Sequence, residues 1–138
     1  MAASDLIEFH SRYKYLLLAH SPGAYRRLGR LVGDLSEDLQ NIADAYLAVF
    51  MATLTKPTSR KNHSNVLQHL QGYFKKHLPS AQRQALCQVI HDYRQGTLPL
   101  LAPITLIRHL IKQYPDPYLE KQCYLNPYPD SLGLRYGI

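Results

Sequence analysis

The chain has 138 residues, 46% of them hydrophobic, with a net charge of +6 and an isoelectric point near 9.4. That length holds one modest core and not two, and that apolar fraction excludes wholesale disorder. Two cysteines, Cys87 and Cys123, are too few for a disulfide-stapled scaffold, and the longest apolar run, 45–52, is far short of the ~20 residues that span a bilayer.

The first residues, Met1-Ala2-Ala3-Ser4-Asp5, lack the basic leader and apolar stretch of a signal peptide, so the cytoplasm is the expected location. Apolar residues then recur at helical spacing, with no sustained alternation of the kind that marks strands. A first helix is predicted over 4–19, with Leu6, Phe9, Tyr13, Leu16 and Leu17 inward. Ser21-Pro22 reads as an N-cap followed by proline at the first helical position, opening a short second helix with Tyr25, Leu28 and Val32 inward. The third, over 39–54, is apolar on most sides and is expected to be central.

Pro57 breaks the chain, and Thr58 or Ser59 caps a fourth helix running to His77 with Val66, Leu67, Leu70, Phe74 and Leu78 as its buried stripe. A fifth starts at Pro79-Ser80, buries Leu86, Val89, Ile90 and Tyr93, and closes at Gly96. Pro103 opens a sixth through Ile104, Ile107, Leu110 and Ile111. Asp116-Pro117 caps a short seventh ending near Asn126-Pro127, before an irregular tail rich in proline and tyrosine. The expected fold is all-α: a compact, single-domain bundle of six to seven helices over residues 1–138.

Charge is placed unevenly. Asp34, Glu37, Asp38 and Asp44 crowd a stretch without a base, whereas residues 45–91 hold no acid but carry Lys56, Arg60, Lys61, Lys75, Lys76 and Arg83. A solvated helix ordinarily mixes signs, since opposite charges at i,i+4 stabilise it. Residues 58–65 are all polar, so the opening of the fourth helix is expected to lack a buried face. Arg60 and Lys61 stand near its N-terminus, where the helix dipole disfavours cations by ~0.3–1 kcal/mol. Free backbone N–H groups with two cations suit a phosphate, and Asn62, His63 and Asn65 add hydrogen-bonding capacity. The alternative is a solubilising helix start. Arg26, Arg27 and Arg30 form a second basic arc, and Arg26 with Arg30 is a like-charge i,i+4 pair.

Chemistry beyond binding is weakly signalled. There is no P-loop, dinucleotide turn, nucleophile elbow or CxxC, and no cofactor is expected. Cys87 and His91 lie at i,i+4, but two ligands are not a metal site, and Arg83 and Arg94 beside them would repel a cation. His63 reads as the most exposed histidine and a conceivable general base, yet no carboxylate near it in sequence orients it. Asp116 and Asp130 read as turn and cap residues. Tyr114, Tyr118, Tyr124, Tyr128 and Tyr136 either pin the tail to the bundle or stack on unpaired bases.

Several segments together resemble the YbgA-like family, long catalogued as a domain of unknown function. They are Lys14-Tyr15-Leu16-Leu17-Leu18-Ala19-His20-Ser21, Tyr25-Arg26-Arg27-Leu28-Gly29-Arg30-Leu31-Val32, Arg60-Lys61-Asn62-His63 and Leu67-Gln68-His69-Leu70-Gln71-Gly72-Tyr73-Phe74-Lys75. Tyr93-Arg94-Gln95-Gly96, Pro103-Ile104-Thr105-Leu106, His109-Leu110 and Tyr114-Pro115-Asp116-Pro117-Tyr118 extend the likeness over nearly the whole chain. Members occur alone or joined behind a TudS-type iron–sulfur desulfidase domain. The resemblance implies a role in presenting thiolated tRNA to the desulfidase, whose cluster-ligating cysteines have no counterpart here.

The expectation is therefore a non-catalytic tRNA-binding module that contacts RNA through Arg26, Arg27, Arg30, Arg60, Lys61, Asn62, His63, Lys75 and Lys76, with a TudS-type desulfidase as a further partner and no membrane. The alternatives are an enzyme or binding protein for a phosphorylated or nucleotide ligand at 60–63, and a protein-docking subunit for a separate desulfidase.

Overall fold

The structure, a computed structural model, describes residues 2–34 and 37–126. Among these it has eight helices and no strand: α1 (Ala3–Arg12), α2 (Lys14–His20), α3 (Pro22–Gly33), α4 (Leu39–Leu54), α5 (Arg60–Gly72), α6 (Ser80–Arg94), α7 (Leu101–Gln113) and α8 (Pro117–Glu120). The fold is all-α, as the periodicity requires. Side-chain caps open α3, α5 and α8. Ser21 Oγ accepts the Ala24 N–H at 3.1 Å with Pro22 behind it, and Asp116 Oδ1 accepts the N–H groups of Tyr118 and Leu119 at 2.9 and 3.2 Å.

The extra helix comes from a break at Tyr13, which divides the expected first helix into α1 and α2. A distant segment causes it. Gln122, wholly buried, donates from Nε2 to the Ser11 carbonyl at 2.8 Å, and the Cys123 N–H donates to the Arg12 carbonyl at 3.0 Å. These bonds take carbonyls that a continuous helix would have used itself.

Two apolar clusters make the interior. One gathers Leu6, Leu17, Leu28, Ile42, Tyr46 and Phe50 from α1 to α4; the other runs through α2, α5, α6, α7 and α8 around Tyr15, Leu67, Leu70, Leu86, Ile107 and Leu119. Only α2 gives buried residues to both clusters, so α2 is the central helix rather than α4. The outward face of α4 instead leaves Leu47 and Met51 55% and 56% exposed.

Three other boundaries depart from expectation. Helix α5 stops at Gly72, and turns carry the chain on to Leu78. Helix α7 starts at Leu101, placing Pro103 in the first turn, where its missing N–H costs nothing. Helix α8 ends at Glu120, and Tyr128, Asp130 and Tyr136 of the expected tail lie outside the described residues. Among the described residues, no helix is long and apolar enough to cross a membrane.

Candidate functional site

The start of α5 is capped by Ser59, whose Oγ accepts the Asn62 N–H at 3.0 Å. This meets one of the four N–H groups a helix start leaves open, and Asn62 is the residue so engaged. Arg60 and Lys61 occupy the first two helical positions and are exposed. The awkward placement of Arg60 has a structural resolution. Its guanidinium Nη1 donates to the Tyr93 carbonyl at the end of α6, and its carbon lies 4.6 Å from the centroid of the Tyr93 ring. A cation that is unfavourable at the start of α5 is thus carried to the end of α6, where the dipole favours it. The Tyr93 phenol is pushed up by burial, against a smaller downward pull from Arg60.

His63 corrects the sequence reading. It is 6% exposed, not a surface histidine, and Ser64 beside it is also buried. His63 Nδ1 and the Tyr124 hydroxyl share a 2.7 Å hydrogen bond, and the imidazole meets the Tyr93 ring edge-on at 6.5 Å. The first two turns of α5 therefore do have a buried face. His63 stands one turn ahead of Leu67 and two ahead of Leu70, so it continues their stripe backward. One edge of His63 still borders a groove of about 440 Å³, together with Ser59, Arg60, Tyr93, Thr97 and Leu100. Gly96, at φ +85°, makes the turn after α6 and itself borders this groove.

The remaining basic residues fall in two further places. Arg26, Arg27 and Arg30 are all exposed on α3, and Arg27 shares a groove of about 470 Å³ with Lys56 at the end of α4. The Lys56 carbonyl bonds His20 Nδ1 at 2.6 Å, tying the end of α4 to the α2–α3 corner. Lys56 is four residues before Arg60, so the groove shared by Arg27 and Lys56 adjoins, along the chain, the start of α5. Lys75 and Lys76 lie beyond the other end of α5, about 20 Å away for 13 residues at 1.5 Å each.

Between these ends the outward residues of α5 are Lys61, Asn65, Gln68, His69 and Gly72, all exposed and none acidic. Glu8 and Arg12 form an ion pair within α1. Sequence reasoning placed both cationic ends on one helix running to His77; the structure ends α5 at Gly72 and leaves Lys75 and Lys76 in the turns beyond it. Of the tyrosines, Tyr124 is buried against His63, while Tyr114 and Tyr118 are half-buried. Cys87 and His91 are exposed on α6, and among the described residues no third ligand stands with them.

The family model described as "Protein of unknown function (DUF1722)" matches residues 14–129. The chain is also 41% identical over 134 residues to "Uncharacterized protein YbgA" of Escherichia coli strain K12, covering 96% of this chain and 79% of that protein. No solved structure matches significantly.

Proposed function

From the premise that the chain belongs to the DUF1722 family, we propose that it is a tRNA-binding accessory module of the cytoplasm, acting in thiolated-tRNA desulfidation rather than carrying out the chemistry itself. One observation carries the reading: the exposed, acid-free surface of α5, with Arg60 and Lys61 at one end and Lys75 and Lys76 at the other. Its ~20 Å length is enough to follow several consecutive phosphates of one RNA strand. Cations without acidic neighbours repel one another, and a polyanion relieves that repulsion while releasing its own counterions. Arg26, Arg27 and Arg30 extend the basic surface across α3, and Asn62 stands at its edge.

The test is tRNA affinity as a function of salt for the wild type, Arg60→Ala/Lys61→Ala and Lys75→Ala/Lys76→Ala. Each lost phosphate contact should flatten the slope of log K against log salt by roughly 0.7–0.9. Slopes unchanged in both double variants would remove this surface from the account. Lys61 is the cleaner probe of binding, because Arg60 also holds the end of α6.

A TudS-type desulfidase fits as the protein partner, and the exposed Leu47 and Met51 of α4 give such a partner an apolar foothold away from α5. Loss of co-purification in a Leu47→Glu/Met51→Glu variant would support that contact. A second reading has its own observation, the 440 Å³ groove at Arg60 and His63, which lies in the size range of small-ligand sites. It predicts saturable binding of nucleoside monophosphates that is lost in Thr97→Trp. Titration calorimetry with no heat at millimolar nucleotide would exclude it.

A further inference from the structure

A separate cleft of about 220 Å³ opens where the turns after α5 face the segment between α7 and α8. Its walls are aromatic. Tyr73 lies over Tyr118 with ring centroids 6.0 Å apart at 21°, and His77 lies over Tyr114 at 6.0 Å and 23°. Tyr73 and His77 are exposed, whereas the other tyrosines and phenylalanines among the described residues are buried or half-buried. Burying such rings against a neighbour is favourable, so an open pair of stacks is a surface that gains by being covered.

Polar side chains line the cleft alongside the rings, Gln113 and Asp116 together with Tyr73, His77 and Tyr114. Asp116 commits Oδ1 to the Tyr118 and Leu119 N–H groups, which fixes the carboxylate in place at the rim. Gln113 adds an amide that can both donate and accept. Lys75 and Lys76 are exposed on the turn between Tyr73 and His77, Lys75 also bordering a separate groove against α6. A flat, π-faced ligand with N–H donors on one edge and a negative charge attached outside would meet each of these features. An unpaired nucleotide has that chemistry: its base stacks on the rings, its donor edge faces a carboxylate, and its phosphate stays with the lysines.

We propose that the Tyr73–His77–Asp116 cleft accepts one unpaired nucleobase of the bound RNA, at the far end of α5 from Arg60. This rests on the RNA-binding reading and deepens it: α5 would grip the backbone while the cleft selects for a single-stranded or splayed-out position. A purely double-stranded RNA would engage the lysines but leave the cleft empty.

The test uses a single-stranded RNA octamer carrying one 2-aminopurine, whose emission is quenched when it stacks. Anisotropy reports binding and emission reports stacking, in separate channels. The wild type should quench the probe on saturation. Tyr73→Ala and His77→Ala should restore emission and weaken the octamer by roughly 5- to 150-fold, the range for losing one base–aromatic stack. Tyr73→Phe should keep the quench, since the ring and not the hydroxyl is used. His77→Ala guards against misfolding, because Tyr73 also accepts a 3.4 Å hydrogen bond from the Tyr15 hydroxyl whereas His77 is at the surface. Salt-sensitive binding with no quenching, or quenching that survives both alanine variants, overturns the cleft and leaves the RNA reading standing. No anisotropy change with the octamer while tRNA still binds at low salt overturns the cleft alone, and binding of neither overturns both.

Discussion

Replacing Tyr124 by phenylalanine deletes one hydroxyl at the buried contact with His63 and changes little else in volume. That hydroxyl is held at 2.7 Å by an imidazole that is itself only 6% exposed. A typical net hydrogen bond contributes about 1 kcal/mol, and taking the partner from a buried polar group costs about 1–3 kcal/mol because water does not replace it. We expect Tyr124→Phe to destabilise the protein by about 1–3 kcal/mol. For a chain of this length each 1 kcal/mol lowers the melting temperature by roughly 3–5 °C. Urea denaturation followed by far-ultraviolet circular dichroism should show a lower midpoint with the same slope, while tRNA affinity of the folded variant stays within about twofold. An unchanged midpoint together with a tenfold loss of tRNA affinity would refute the structural role of His63 and return it to the ligand surface. The distinction matters because a histidine buried to hold the start of α5 against residue 124 is poorly placed for acid–base work in solvent.

Other consequences follow from the same geometry. Gln122→Leu should destabilise the protein by about 2–4 kcal/mol in urea melts, since it takes its partner from the Ser11 carbonyl at the Tyr13 break and forfeits the amide's own bonds. Stability should also depend on pH through His10, whose pKa is lowered below 6.5 by burial and then by Lys14. The unfolded chain takes up that proton first, so the contribution is complete above pH 6.5 and is lost as pH falls through the lower folded pKa. The urea midpoint should therefore drop below pH 6.5, and His10→Gln should flatten this part of the profile. Arg30→Gln should stabilise α3 slightly in the absence of RNA, by ending its repulsion of Arg26, and should weaken tRNA binding measured by filter retention.

The parts of this fold that were legible in the sequence are those governed by short-range physics. The caps at Ser21, Ser59 and Asp116 lie where an oxygen-bearing side chain precedes a helical stripe, and each bonds the N–H groups it was expected to meet. The stripe Val66, Leu67, Leu70 needed only a 3.6-residue period. What was not legible depends on residues far along the chain. The break at Tyr13 is imposed by Gln122 and Cys123, more than 100 residues away, and nothing in 4–19 itself disfavours a continuous helix. The burial of His63 depends on Tyr124; a run of eight polar residues concealed it, although its spacing to Leu67 and Leu70 carried the signal.

The prominence of α4 was misjudged for a related reason. Apolar content on most sides suggested a central helix, but α2, only seven residues long, takes that place because both clusters converge on it. For the site, the composition of residues 45–91 exposed the missing acids, and the structure then showed an exposed, acid-free side of α5 from Lys61 to Gly72, with Lys75 and Lys76 in the turns beyond. The cleft at Tyr73 and His77 needed the return of the chain after α7, which no local pattern encodes.

The most direct measurement is crosslinking of the protein to RNA in living cells, followed by sequencing of the recovered RNA and mass spectrometry of the crosslinked peptides. The account predicts that tRNA fragments dominate over a mock recovery and that the attached peptides derive from residues 60–77. Recovery of RNA no richer in tRNA than the mock, or crosslinks confined to segments outside α3 and residues 60–77, would contradict it.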